Sequence, residues 1–418
     1  MSNFYIENLH LRGVRHFDQL DVQFSPKFNF IVGPNGCGKT SILASISHCF
    51  SHQSLKYSRF KDDAEMWVDL LNDSKKYRVG MGRGSISSGT YRAATIFRWS
   101  LPKEDIERKA LLNDNSMEKT LPESIPLFIG SQRNIQYTNI QGMSREPDIQ
   151  QSRQVYSRDG IRALYGETKS EVKQWIINRD FIIEKDWARE ERANWEQMTA
   201  QLHTIGPFDS DFSYIRTGRD LEPVFSVYGR ECYLEELSSG YQAVLLIITK
   251  IIEWIETTRP EGKRNIKTAQ GTVLIDEIDL HLHPEWQFSL RDGLEAIFPK
   301  LQFIVTTHSP HVLSSAKANE VIILSISSEK KTLDLKPSEK SFSGWSTDQI
   351  LADIMGVESL ENKLYERLIA QSFELADNSD IMGLTSVLEE LKAITHPNDV
   401  IVPVLQAKLA SLVATNND

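Results

Sequence analysis

Cysteine is scarce in this chain: Cys37, Cys49 and Cys232 are its only three. An odd, low count argues against a disulfide framework and suits a reducing compartment. No two of them form a CxxC pair, so a structural zinc site is not expected. Long apolar runs are also missing. The most apolar stretch, residues 244–255, is broken by Lys250 and Glu253, whereas a bilayer-spanning helix takes about 20 apolar residues. Residues 1–10 lack a basic start followed by an apolar core, so no secretory signal is expected. The resulting expectation is a cytoplasmic protein without membrane contact. Positive charge is in deficit too, with 47 Lys and Arg against 57 Asp and Glu, a net charge of −10. Such a chain is not a bulk polycation, and any nucleic-acid contact must use a local patch. There is no internal repeat and no low-complexity tract.

What is present is ordinary globular composition, 40% hydrophobic and 25% charged over 418 residues, enough for about two or three units. Alternation over residues 5–11 and 19–24 predicts half-buried antiparallel strands. A third strand, 28–32, runs into a glycine-rich turn, and 41–48 has helical character. β structure is expected over 77–79, 89–91 and 94–99. The glycines at 80–84 lack phosphate-loop spacing and a following helix, and are read as a mobile turn. A short apolar strand is predicted at 126–130.

Residues 156–202 read as amphipathic helices packing on a core through Trp175, Ile176, Phe181, Ile182, Trp187, Trp195 and Met198. Within 133–179 eight basic residues (Arg133, Arg145, Arg153, Arg158, Arg162, Lys169, Lys173 and Arg179) face five acids. That weak basic patch reads as a solvated helix face before it reads as a nucleic-acid surface. Strands are predicted again at 223–228 and 231–234, followed by a long buried helix at 241–257. Strands at 272–275 and 302–306 flank a helix at 286–298, which makes a βαβ unit and hence a parallel core. One more strand is predicted at 320–325, and 346–415 reads mainly as helix.

The strongest motif is Gly33-Pro34-Asn35-Gly36-Cys37-Gly38-Lys39-Thr40, a GxxxxGK[ST] loop between a predicted strand and helix. Glycines let backbone N–H groups wrap phosphates, and the helix N-terminus adds positive potential. Lys39 is expected at the β- and γ-phosphates, and Thr40 on Mg²⁺. The second motif is Thr272-Val273-Leu274-Ile275-Asp276-Glu277, an apolar strand ending in two carboxylates. Asp276 is expected in the Mg²⁺ shell and Glu277 as the group that orients or deprotonates the attacking water. The third, Leu237-Ser238-Ser239-Gly240-Tyr241-Gln242, offers two hydroxyls and a glycine N–H at a helix start, either an anion site or plain capping. The fourth is Thr306-Thr307-His308-Ser309-Pro310 at a strand end. A metal site built from His308 with His311, or with His281 and His283, has no supporting carboxylate or cysteine spacing.

Taken together and in this order, the motifs resemble the ABC-type ATPase head shared by SMC proteins, recombination-repair ATPases and OLD-family proteins. The resemblance covers about residues 1–132 and 225–325 and implies an α/β P-loop NTPase head, a mixed sheet with flanking helices. It makes 237–242 similar to the signature motif, with Ser239 where the first glycine usually stands and Tyr241 where a glutamine often stands. It makes His308 the switch histidine, 279–284 the D-loop, Gln132 the Q-loop glutamine and a further Mg²⁺ ligand, and Arg15 the arginine of the opening strands. Gly33, Asn35, Gly36, Gly38, Lys39, Thr40, Ser41 and Arg15, with Ser238, Ser239 and Gly240 from a second copy, then form the ATP site. Leu237 lies only 105 positions after Gln132, too close for a long coiled coil between them. The tail after Leu335 is too short and too poor in acid clusters for a Toprim nuclease.

The segment Gly344-Trp345-Ser346-Thr347-Asp348-Gln349-Ile350-Leu351 resembles the ATPases of bacterial antiphage modules of the Septu and retron type. That resemblance implies an HNH-type nuclease partner and, in retron versions, a reverse transcriptase with its RNA–DNA. The expected layout is an N-terminal lobe 1–135, a mainly helical insertion 136–222, a C-terminal lobe 223–335 and a helical region 336–418. The expected function is an ATPase that dimerises head to tail around ATP and regulates a nuclease. A DNA-sensing repair ATPase, a transporter subunit and a scaffold with little turnover are the alternatives.

Overall fold

A computed structural model describes residues 4–416, apart from 88–91, 93, 97, 104–108, 169–170, 208–209, 326–331 and 358–361. The expected strand at 89–91, Phe97 and Lys169 therefore lie outside the described residues. The chain divides into two compact units, Met1–Ile350 and Leu351–Asp418.

The first unit is built on two main sheets. One is a five-stranded parallel sheet in the order Val321–Ile323, Phe28–Val32, Leu301–Thr306, Gly271–Ile275 and Leu127–Ile129. Its three central strands are buried on both faces, which is why they read as near-continuous apolar runs and not as alternations. The helix Lys39–Phe50 lies on one face, where Ile31, Leu274, Ile304 and Ile322 join its Ile42, Leu43 and Ile46 in one core. The alternate residues point the other way. There Phe28 stacks on Phe303 at 4.6 Å, and Arg291 of the helix Pro284–Ile297 covers the Phe28 ring.

The second sheet is largely antiparallel, in the order Thr332–Leu335, Phe17–Gln23, Phe4–Val14, Phe60–Asn72, Lys75–Met81 and Ala110–Leu112. Its core face shares the cluster around the helix Lys39–Phe50. The strand Phe60–Asn72, its longest, escapes the sequence reading. Its central residues Ala64–Leu70 are all buried, and charges at Lys61, Asp62, Asp63, Glu65 and Asp69 mask the apolar signal. The strands Ser213–Thr217 and Thr332–Leu335 are missed for a related reason, since both are short and half exposed. Gly80 and Met81, expected in a turn, continue the strand Lys75–Met81, and Gly80 pairs with Trp67.

The helices Ile149–Leu164, Val172–Ile182 and Arg189–Ile205 form the insertion. Trp175, Ile176, Ile182, Trp195 and Met198 are buried as expected, but Phe181 is 44% exposed and Trp187 66% exposed. The expected basic patch is a solvated face only in part, with Arg145 and Arg158 exposed and Arg153 and Arg162 half-buried. Arg133, Lys173 and Arg179 are buried, Arg179 pairing with Glu256 and Glu146, and Lys173 with Glu222 and Glu235. Sequence spacing counts charges but cannot tell which point inward. The long helix Ser239–Thr258 is buried on nearly all sides. In the second unit, the helices Lys363–Asp377, Ile381–Ile394 and Ile401–Asn416 share a small core of Leu368, Val387, Leu388, Leu391 and Leu405.

Candidate functional site

All strands of the parallel sheet run the same way, so their C-terminal ends share one edge. In open α/β sheets that edge is where ligands bind. The loop after Phe28–Val32 carries Gly33 to Thr40. Gly33 takes a left-handed φ of 149°, and a Cβ there would stand 2.0 Å from the Leu324 carbonyl oxygen. Gly38 caps the helix Lys39–Phe50 with φ 110°, and a Cβ would meet the His16 ring at 2.4 Å. These two glycines are therefore required by the path of the loop as well as by open access to its amides. Lys39 Nζ folds back over the loop and donates to the carbonyls of Gly33 at 2.9 Å and Pro34 at 3.0 Å. Burial lowers its pKa, partly opposed by Cys37, Asp276, Glu277 and Asp279.

Thr40 reaches the next strand but one. Its hydroxyl donates to both oxygens of Asp276 at 3.0 Å. Thr306, at the end of the strand between them, also donates to Asp276 Oδ1, at 2.7 Å, and accepts from the Glu277 amide at 2.7 Å. Glu277 itself adopts φ 50°, left-handed and uncommon for a side-chain-bearing residue. One residue pair further on, Thr307 Oγ1 donates to Asp279 Oδ1 at 2.5 Å, and the His308 amide donates to the same oxygen at 3.2 Å. The His308 pKa is lowered, first by desolvation and then by Lys39, against the pull of Asp279, Glu277 and Asp276. His308, Lys39 and the carboxylates thus share one electrostatic environment.

Arg15 braces the start of the phosphate-loop helix from the second sheet. It donates to Ser41 Oγ at 3.1 Å, to Ser58 Oγ at 2.7 Å and to the Tyr57 carbonyl at 3.2 Å, and it also bonds the Tyr165 hydroxyl. Gln132 is placed differently. It follows the strand Leu127–Ile129, is exposed, and its amide lies against Gly166 in the wall of a cavity under the insertion helices. Among the described residues it makes no hydrogen bond to Thr40, Asp276 or Glu277.

Ser238 and Ser239 open the helix Ser239–Thr258 with exposed side chains, and neither hydroxyl caps the helix. The neighbouring residues explain how this turn is held. Tyr241 sits edge-on to Trp286 at 4.5 Å and against Phe212 at 4.6 Å. Gln242 accepts from the Ile135 amide at 3.2 Å and donates to the Glu235 and Leu237 carbonyls. Tyr241 is therefore an anchor for the turn, and Gln242 fastens it to the segment that follows Gln132.

The thoroughly buried Arg133 is the functional neighbour that sequence reasoning misplaced. Its guanidinium donates to the carbonyls of Gly130, Asp276, Glu277 and Ile278. No motif marks it; only its position beside Gln132 hints at a role. For metal, the Thr40 hydroxyl and the Asp276 carboxylate form an all-oxygen pair suited to a hard divalent cation that completes its shell with water and phosphate. Among the described residues no cluster of three or more His, Cys, Asp or Glu could hold a metal by itself, which leaves the histidine alternative without support.

A phosphate loop, two strand-end carboxylates and a strand-end histidine on one parallel sheet define an ATPase head of the SMC- and OLD-like class. Residues 28–314 match the family model described as "AAA domain, putative AbiEii toxin, Type IV TA system", and the chain belongs to that family. A Septu protein PtuA from Bacillus thuringiensis is 27% identical over 412 residues, 97% of this chain and 98% of its own. A "Retron Ec83 probable ATPase" from Escherichia coli is 23% identical over 398 residues, 76% of this chain and 71% of its own. Among solved structures, an SMC head bound to the C-winged helix domain of ScpA is 16% identical and covers 79% of this chain and 96% of that chain, with a TM-score of 0.46. The likeness to the Septu protein extends through the insertion and the C-terminal helices, beyond the two stretches the motifs alone cover. Among the described residues no helix is long and apolar enough to cross a membrane.

Proposed function

We propose that this chain binds and hydrolyses ATP, pairs head to tail with a second copy around the nucleotide, and through that switch regulates a partner nuclease in antiphage defence. The observation that carries the reading is the bond between Thr40 and Asp276, 236 residues apart in sequence and 3.0 Å apart in space. It brings the phosphate loop and the carboxylate strand to one point.

Lys39 would leave its two carbonyl partners for the β- and γ-phosphates, joined by the amides of residues 35–41 and supported by Arg15 through Ser41. Thr40 and Asp276, with Gln132 if its segment swings in, would hold Mg²⁺, which supplies charge neutralisation on the phosphates. Glu277 would take a proton from a water whose oxygen attacks the γ-phosphorus while the bond to the β–γ bridging oxygen breaks. His308 can donate one hydrogen bond to the γ-phosphate.

The exposed Ser238 and Ser239, with Gly240 buried behind them, are suited to capping the γ-phosphate held by a second copy, and this symmetric use of one surface closes a two-fold pair. The partner, by the names of the similar proteins, is a component of a Septu or retron system. An HNH-type nuclease, or a reverse transcriptase with its RNA–DNA, is the candidate. Arg133, Lys173 and Arg179 are buried, which withdraws three of the eight basic residues of 133–179 from the surface a DNA-sensing head would use.

The test is Glu277→Gln with Lys39→Ala as control. With ATP, the first variant should retain nucleotide and run as a stable dimer or larger assembly in light scattering, while the second should bind no ATP. An unchanged monomer mass for Glu277→Gln with ATP would sink the dimer reading, and tight ATP binding by Lys39→Ala would sink the phosphate-loop assignment.

A further inference from the structure

We infer that Arg133 is a positioning residue for hydrolysis, which fixes the backbone of Glu277 so that its carboxylate faces the phosphate loop. This rests on the reading of Glu277 as the group that activates water. The argument starts from the conformation. A left-handed residue other than glycine carries about 1–2 kcal/mol of local strain, and such strain persists only where the surroundings over-determine it. Here both peptide planes flanking Glu277 are held from both sides. In the plane before it, the Asp276 carbonyl accepts from Arg133 and the Glu277 amide donates to Thr306 Oγ1. In the plane after it, the Glu277 carbonyl accepts from Arg133 at 3.0 Å and the Ile278 amide donates to the Thr306 carbonyl at 2.9 Å. One arginine and one threonine thus set φ and ψ of the same residue.

The chemistry of Arg133 points the same way. Its side chain is 1% exposed, and among the described residues it forms no ion pair. A buried charge is expensive unless its hydrogen bonds are satisfied, and here backbone carbonyls alone satisfy it. The forked guanidinium can reach several carbonyls at once, which a lysine ammonium cannot do in a fixed plane. Burial lowers its pKa to about 10, with Asp279, Asp276 and Glu277 opposing, so it stays charged at neutral pH. Arg133 follows Gln132 directly and lies two residues before Ile135, whose amide is tied to Gln242. The segment after the strand Leu127–Ile129 therefore joins the carboxylate loop to the signature turn.

The experiment compares Arg133→Lys, Arg133→Ala and the unaltered full-length chain for ATP affinity, KM and kcat. The expected result for Arg133→Ala is a fall in kcat of about 100-fold, the scale of a displaced catalytic group, with ATP affinity within about threefold. Arg133→Lys should lie between. Millimolar guanidinium ion should restore part of the turnover of Arg133→Ala and none of that of Glu277→Gln, a response that a general loss of structure would not give. If Arg133→Ala does not fold, Arg133→Lys decides: lowered kcat at unchanged KM supports the inference, and unchanged kcat overturns it. A loss confined to KM in either variant also overturns it. Absence of turnover in the unaltered chain would instead overturn the hydrolysis reading itself, so the two failures are distinguishable.

Discussion

The hydroxyl of Thr306 joins Asp276 and Glu277: it donates to the Asp276 carboxylate and accepts from the Glu277 amide, both at 2.7 Å. A residue on one strand thereby sets two carboxylate residues on its neighbour. Thr306→Val keeps the shape but removes the hydroxyl, leaving a buried amide unpaired at a cost of about 1–3 kcal/mol. The expected outcome is a lower urea midpoint and reduced turnover. Thr306→Ser, which keeps the hydroxyl, should restore most of both. Equal midpoints for the valine and serine variants would show that the bridge is idle.

Glu277 carries strain that glycine would not. At φ 50°, Glu277→Gly relieves the left-handed penalty but adds flexibility to the unfolded chain, leaving a net gain of about 0.5 kcal/mol. The variant should be slightly more stable in chemical denaturation and should not hydrolyse ATP. A clear drop in stability would mean that the side chain, and not the backbone, holds the loop.

His48 makes the first unit sensitive to acid. It is fully buried beneath the second sheet, between the hydroxyls of Ser54 at 2.6 Å and Ser58 at 2.7 Å. Desolvation, with Arg15 adding a smaller push, holds its pKa well below the ordinary 6.5. The folded state therefore keeps the ring neutral, while the unfolded chain takes up a proton once pH falls below 6.5. The stabilisation is complete above 6.5 and is lost as pH falls toward the folded value, at up to about 1.4 kcal/mol per pH unit. Denaturation midpoints measured across this window should fall more steeply for the natural chain than for His48→Gln. Parallel slopes would refute the assignment.

The parallel-sheet strands were legible because a strand buried on both faces is a near-continuous apolar run, as at Phe28–Val32 and Gly271–Ile275, broken only by the buried Asn29 and Thr272. The phosphate loop was legible because few residue types can wrap a backbone around phosphate. The strand Phe60–Asn72 was not, because its charged residues break the pattern that burial of Ala64–Leu70 would otherwise write.

By itself, then, the sequence determined the local chemistry: which loop has glycine freedom, which strand ends in Asp276 and Glu277, and which helix must be buried. Only the tertiary structure decided the rest. It joined Thr40 to Asp276 across 236 positions, turned Arg133 inward onto three successive carbonyls of the carboxylate loop, and laid Gln132 against Gly166. The physical reason is that periodicity and composition report what a residue can do next to its chain neighbours. The partner of a buried guanidinium or hydroxyl is set by which strand ends the sheet order makes adjacent, and that order is a property of the whole fold.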